Sequence, residues 1–146
     1  MFSKRSALLD DDAALPSPDL TTDAETRASA QAVWVPNRNG LLVNLAAALA
    51  EADGHAAVVV GFNAEEAATF PDNGAPFFEA LNACLAFSTQ TSVRVVAPCL
   101  ALTKSELMAA GKAVGAPIEA SWSCYGPGPE PCQRCESCLR RARAAS

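Results

Sequence analysis

One histidine, His55, is all that 146 residues provide. That excludes a Ser-His-Asp or Cys-His catalytic relay, and His55 itself, beside Gly54 at the mouth of an expected strand, reads as structural. No apolar run approaches membrane-spanning length, so no membrane partner is expected. The opening Met1-Phe2-Ser3-Lys4-Arg5 and the following Asp10-Asp11-Asp12 contain no apolar signal region, which points to a cytoplasmic protein with reduced thiols. A basic surplus is also missing. Eleven Lys and Arg against 16 Asp and Glu give a net charge of −5, too acidic for a general nucleic-acid binder. Arg134, Arg140, Arg141 and Arg143 cluster near the end, and their spacing reads as the solvated face of a terminal helix. At 50% hydrophobic residues the chain can fill one core and is short for two ordinary domains.

What the sequence does have is cysteine, and most of it in one place. Cys124, Cys132, Cys135 and Cys138 are spaced C-x7-C-x2-C-x2-C. Thiolates at two-residue gaps turn readily toward one centre, and four of them suit a tetrahedral zinc ion. Between the first and the rest runs Gly126-Pro127-Gly128-Pro129-Glu130-Pro131, a loop that neither helix nor central strand can absorb. An iron–sulfur cluster also uses C-x2-C-x2-C, but the ferredoxin run continues x3-C-P, where this chain has Ala142-Arg143. Two disulfides would need an oxidising compartment. One structural Zn2+ is therefore the favoured reading, because a closed four-sulfur set leaves no position for substrate.

Taken in order, residues 1–32 are polar and breaker-bearing, and read as a loop or arm. Leu41, Leu42, Leu45 and Leu49, with Ala46 and Ala52 beside them, form an apolar helical stripe closed by Asp53-Gly54. Asn37 or Asn39 is the expected cap, placing Arg38 at the positive helix end, where anions bind, although on pattern alone an ordinary surface arginine is the favoured reading. Residues 56–62 are a continuous apolar run, the pattern of a parallel strand buried on both faces. Asn63 and Glu66 follow its carboxyl end, where α/β proteins place ligands, although on the residues alone a loop cap is the favoured reading. Asp72 sits in a turn as cap or ligand. A helix over residues 76–87 turns Phe77, Phe78, Leu81, Leu85 and Cys84 inward, and residues 93–98 give a second strand, with Cys99 after it as a further small hydrophobe. Thr103 and Glu106 have capping-box spacing, and Leu107, Met108 and Val114 supply the inner face of the helix that follows, up to Gly115. Lys104 then stands at a helix N-terminus, where a cation opposes the dipole and a phosphate ligand would offset it.

These motifs occur together in one family. Val35-Pro36-Asn37-Arg38-Asn39, Gly61-Phe62-Asn63-Ala64, Phe70-Pro71-Asp72, Leu102-Thr103-Lys104-Ser105-Glu106 and Trp122-Ser123-Cys124-Tyr125 with the cysteine triplet resemble, in order and spacing, 7-cyano-7-deazaguanine synthase of the ATP-pyrophosphatase group. The resemblance implies a partial doubly wound parallel α/β sheet of the adenine nucleotide alpha hydrolase type over residues 33–118 and a zinc-binding region over residues 119–146. It implies conversion of 7-carboxy-7-deazaguanine, ammonia and ATP, with Mg2+, into 7-cyano-7-deazaguanine through adenylated intermediates in queuosine biosynthesis. It assigns Lys104 to the ATP phosphates as the catalytic cation. Arg38 and Asn39 fall to the nucleotide cleft, Asn63 and Asp72 to the base, and Cys124, Cys132, Cys135 and Cys138 to zinc. Homodimers are common in the family.

The chain departs from the family pattern in two places. No Ser-Gly-Gly-x-Asp-Ser pyrophosphate loop is found in it, so the expectation is that the first third of the synthase is missing here or lies on another chain. Phe70-Pro71-Asp72-Asn73-Gly74 also stands where members often have Tyr-Pro-Asp-Cys-Arg, which removes two base-recognition positions. Two functions of different class follow. One is the C-terminal part of a synthase; the other is a non-enzymatic zinc-stabilised remnant or subunit of a split synthase.

Overall fold

The computed structural model describes residues 6–10, 12–19 and 21–145. Residues 1–5 and Asp11, which the reading of the N-terminal stretch used, lie outside the described residues. The chain forms two compact units, one of Asn37–Thr103 and one of Met1–Pro36 with Lys104–Ser146.

The Asn37–Thr103 unit is α/β. Helix α2 (Arg38–Ala52) leads into strand β1 (Ala57–Val59). Short helix α3 (Ala64–Ala67), a 3-10 turn (Pro71–Asn73) and helix α4 (Ala75–Ser88) then carry the chain over to strand β2 (Arg94–Val96). The strands are parallel, with Val58 opposite Val95, as a helical crossover requires. Gly54, at φ 76°, provides the left-handed turn after α2 that a side chain would resist.

The core differs from the sequence expectation in its orientation. Val43, Ala47 and Ala50 of α2 are buried with Phe62, Leu81, Leu85, Val93 and Val95. Leu41, Leu42, Leu45 and Leu49, expected inward, are exposed, Leu45 by 60%. Two apolar stripes compete on α2, and the small one wins here, because Val43, Ala47 and Ala50 pack the helix against Val95 of β2 and Val93 just before it. The strands are likewise covered on one face rather than two: Val95 is buried, whereas Val59 is 70% exposed. Cys84 and Phe87 also turn outward. Among the described residues β1 has one strand neighbour, β2. The outer edge of β2 is closed by α4, where the Asn82 side chain donates to Val95 O (3.2 Å) and accepts from Val95 N (2.9 Å). An amide there satisfies the groups a further strand would use.

In the other unit, residues read as part of a polar arm form helix α1 (Asp23–Ala32). The missed signal is a capping box: Glu25 N donates to Thr22 Oγ1, and Thr22 N to Glu25 Oε2. Helices α5 (Lys104–Ala113) and α6 (Glu136–Ala145) pack together, with a 3-10 turn (Ile118–Ala120) after α5. Val114, expected inward, is exposed, since the chain has already left α5. Among the described residues, no helix is long and apolar enough to cross a membrane.

The reversal of α2 has a measurable consequence. Leu85→Ala should lower the unfolding free energy by about 2–5 kcal/mol, whereas Leu45→Ala should stay within about 0.5 kcal/mol. Urea unfolding midpoints of the two variants check this, and equal losses would contradict the observed core.

Candidate functional site

The four sulfurs singled out by spacing do converge. Sγ atoms of Cys124, Cys132, Cys135 and Cys138 all lie within 4.8 Å of one another. A tetrahedral ion with Zn–S bonds of about 2.3 Å places its sulfurs about 3.8 Å apart, so the set fits such an ion with little adjustment. Backbone amides point at these sulfurs: Gly126 N and Cys132 N donate to Cys124 Sγ at 3.2 and 3.3 Å, and Cys135 N donates to Cys132 Sγ at 3.3 Å. Gln133, at φ 59°, makes the tight bend that lets Cys132 and Cys135 face one centre. Trp122 Nε1 donates to Cys124 O at 3.0 Å and holds the backbone of the first cysteine. All six cysteines of the chain are free thiols.

The thiols differ in acidity. The amides of Arg134 and then Cys135 hold the Cys132 thiol far below its ordinary value of 9.0, at about 6. Burial, before any neighbouring sulfur, pushes the Cys138 thiol up to about 12. The depressed Cys132 value favours the folded chain fully above the ordinary thiol pKa, and this contribution is lost as pH falls through about 6. Cys138 has the opposite sign: folding favours its neutral thiol, an advantage lost as pH rises toward 12.

The terminal arginines are only in part the solvated face expected: Arg134 and Arg143 are exposed, Arg141 is half-buried and Arg140 is buried. Glu136 is 1% exposed and Arg140 6% exposed. Arg140 Nη2 pairs with Glu136 Oε1 at 2.7 Å, Arg140 Nε donates to the same oxygen at 2.9 Å, and Ser29 Oγ donates to Glu136 Oε2 at 2.8 Å. Arg141 donates to Ser121 O and Ile118 O at 2.8 and 3.0 Å, and Arg143 to Asp19 O at 2.8 Å. Sequence reading missed this cluster, although Glu136 and Arg140 have i, i+4 spacing in the first turn of α6.

The remaining candidates divide between the units. In Asn37–Thr103, Asn39 Nδ2 donates to Asp72 O at 3.1 Å, so two expected site residues meet across 33 positions of sequence. Asp72 is buried and also accepts from Asn73 Nδ2 at 3.3 Å. Asn63 is the cap that its position allowed, accepting from Glu66 N at 3.0 Å. Asn37 occupies the N-cap of α2 at φ 54° without a side-chain capping bond, and Arg38 is exposed as the first residue of that helix. In the other unit Lys104 is half-buried as the first residue of α5.

In the metal-free chain, iodoacetamide should label Cys132 well before Cys138, with the Cys132 rate half-maximal near pH 6 and Cys138 unlabelled through about pH 10. Mass spectrometry of the labelled peptides reads this directly. Matching pH profiles at the two sites would refute the assigned environments.

Known proteins agree with these motifs. Residues 2–146 match the family model described as queuosine biosynthesis protein QueC. The chain is similar to the 7-cyano-7-deazaguanine synthase of Methanosarcina mazei, 50% identical over 128 residues, which are 88% of this chain and 54% of the relative. It is 48% identical over 143 residues to the synthase of Pelotomaculum thermopropionicum, covering 96% of this chain and 65% of the relative. With the synthase of Carboxydothermus hydrogenoformans it shares 47% over 141 residues, 96% of this chain and 66% of the relative. The chain thus spans about half to two thirds of the length of these relatives. With the family model matched from residue 2 to the last residue, the chain belongs to the queuosine biosynthesis protein QueC family.

Proposed function

We propose that this chain is the metal-stabilised part of a 7-cyano-7-deazaguanine synthase, a cytoplasmic ligase of queuosine biosynthesis that consumes 7-carboxy-7-deazaguanine, ammonia and ATP. The observation that carries the reading is the match over residues 2–146, supported by relatives that share that one name. On this reading β1 and β2 belong to a doubly wound sheet of the adenine nucleotide alpha hydrolase type. Residues 33–118 are its core and residues 119–146 its metal-binding region.

The chemistry starts from a poor electrophile. A carboxylate oxygen of the substrate attacks the α-phosphorus of Mg2+-bound ATP and pyrophosphate leaves. Ammonia then adds to the acyl carbon, AMP departs and a proton is lost, leaving the amide. A second ATP activates the amide oxygen in the same way, and loss of AMP with both remaining N–H protons leaves the nitrile. Lys104, at the first residue of α5, neutralises the ATP phosphates, which also offset the cost of a cation at that helix end. Arg38 and Asn39 line the nucleotide cleft, and Asn63 and Asp72 face the base. The Asn39 bond to Asp72 supports this division, because it ties the N-terminal turn of α2 to the turn that carries Asp72. Cys124, Cys132, Cys135 and Cys138 hold one Zn2+. Four sulfurs close its coordination, so the ion supports structure and takes no part in the steps above.

The family's Ser-Gly-Gly-x-Asp-Ser loop is supplied from outside these 146 residues, and in the working enzyme the open side of β1 is covered by further polypeptide. Exposed Val59 and the row Leu41, Leu42, Leu45 and Leu49 favour that arrangement, or a homodimer or separate N-terminal chain, over a free-standing non-enzymatic module.

A fusion tests the assignment. The portion of the Pelotomaculum thermopropionicum synthase outside the matched region, joined to this chain, should form AMP and the nitrile, and Lys104→Ala should reduce the rate about 100-fold or more. The 146-residue chain alone should form neither. Product from the chain alone would overturn the need for an added loop, and a folded but inactive fusion would sink the assignment. Elemental analysis should give one zinc per chain, with loss of the metal in Cys135→Ser; full occupancy in that variant would exclude Cys135 as a ligand.

A further inference from the structure

We infer that the metal centre is also a clasp: metal bound to the four cysteines holds helix α1 and the segment before it in place, and metal loss releases them. The inference rests on the reading of the cysteines as a metal site. Its distinct observation is the buried Ser29–Glu136–Arg140 cluster. Glu136 lies between Cys135 and Cys138, so the fold of the cysteine knuckle decides where its carboxylate sits. That carboxylate is almost fully buried, paired on one oxygen with Arg140 and bonded on the other by Ser29 of α1, 107 positions away. Two more long-range bonds run the same way: Ser17 Oγ donates to Arg134 O at 3.0 Å and Arg143 Nη2 to Asp19 O at 2.8 Å. Residues 14–17 also line a cleft of about 550 Å³ together with Gly126, Pro127, Cys132 and Arg134.

Helix α1 is otherwise held at its C-terminal end, by the buried Ala30 and Val33 and by Ala7 N, which donates to Ala32 O at 2.7 Å. Its ten residues are too few for stable helix in water, and those it buries are Ser29 and Ala30. The knuckle it grips has little apolar packing of its own: the loop over residues 126–131 is built of glycine and proline around a single glutamate, and the non-cysteine side chain packed on the sulfurs is Tyr125. Metal binding and α1 docking are therefore linked, and linkage is reciprocal: a bond that holds α1 also holds the metal. Glu136 and Ser29 are positioning residues that raise metal affinity without touching the ion.

The experiment uses the 146-residue chain, loaded with Zn2+ or stripped by a chelator. Backbone amides of residues 26–32 should exchange with deuterium about tenfold faster or more in the stripped chain, while amides of residues 81–85 in the other unit change little. Ser29→Ala, a small change at a buried position that leaves every cysteine intact, should weaken Zn2+ about tenfold in competition with a chromogenic chelator, and Glu136→Gln at least as much. A chain that binds no Zn2+ overturns the metal reading and the clasp together. A chain that binds one Zn2+ but shows no change in α1 exchange, or whose Ser29→Ala variant keeps full affinity, overturns the clasp alone.

Discussion

Four thiols within 4.8 Å of one another are a demanding arrangement, because ionising each makes the next harder to ionise. The fold meets that demand locally. Amides of Gly126, Cys132 and Cys135 aim at sulfur, and the Gln133 bend turns two ligands to the same side. The resulting thiols are unequal, one ionised near neutrality and one held neutral by burial, a spread of environments that a bound cation would level. Helix α6 begins inside this cluster: its first turn carries Glu136 between Cys135 and Cys138, and the buried pair with Arg140 spans that turn.

The Asn37–Thr103 unit works under a different constraint. A parallel pair of strands has two faces and two edges, and this unit closes one of each. Helices α2 and α4 cover the face bearing Val95, and Asn82 closes the β2 edge with a pair of hydrogen bonds to a single residue. Val59 and the leucines of α2 are left exposed. Parallel sheets are normally covered on both faces, whereas this pair is covered on one. Asn63 and Asp72, proposed above to face the base, lie on the crossover just after β1, and their ordering by capping and burial needs no more than the elements beside them.

Much of this was legible in the residues. The C-x7-C-x2-C-x2-C spacing gave the converging cysteine set without tertiary information, since short gaps limit where sulfurs can go. The helix starting at Lys104, the helix containing Leu81 and Leu85, and the two valine-rich strands were likewise readable, because each is a long or strongly patterned local signal. Helix α1 was readable in principle from Thr22 and Glu25, but its low apolar content hid it. The direction of α2 was not readable. A helix with leucines on one side and Gly40, Val43, Ala47 and Ala50 on another offers two candidate core faces, and hydrophobicity alone favours the wrong one.

The amino-acid sequence by itself determined the cysteine set, the parallel α/β character of the middle of the chain and the family, because these rest on local spacing and on motifs in fixed order. Tertiary structure alone decided that Arg140 is a buried partner of Glu136 and not a surface charge, that Ser29 reaches that carboxylate, and that Asn39 meets Asp72. The reason is physical: an arginine, a serine or an asparagine has the same local preferences whether it faces water or a carboxylate, and only the long-range path of the chain supplies the partner.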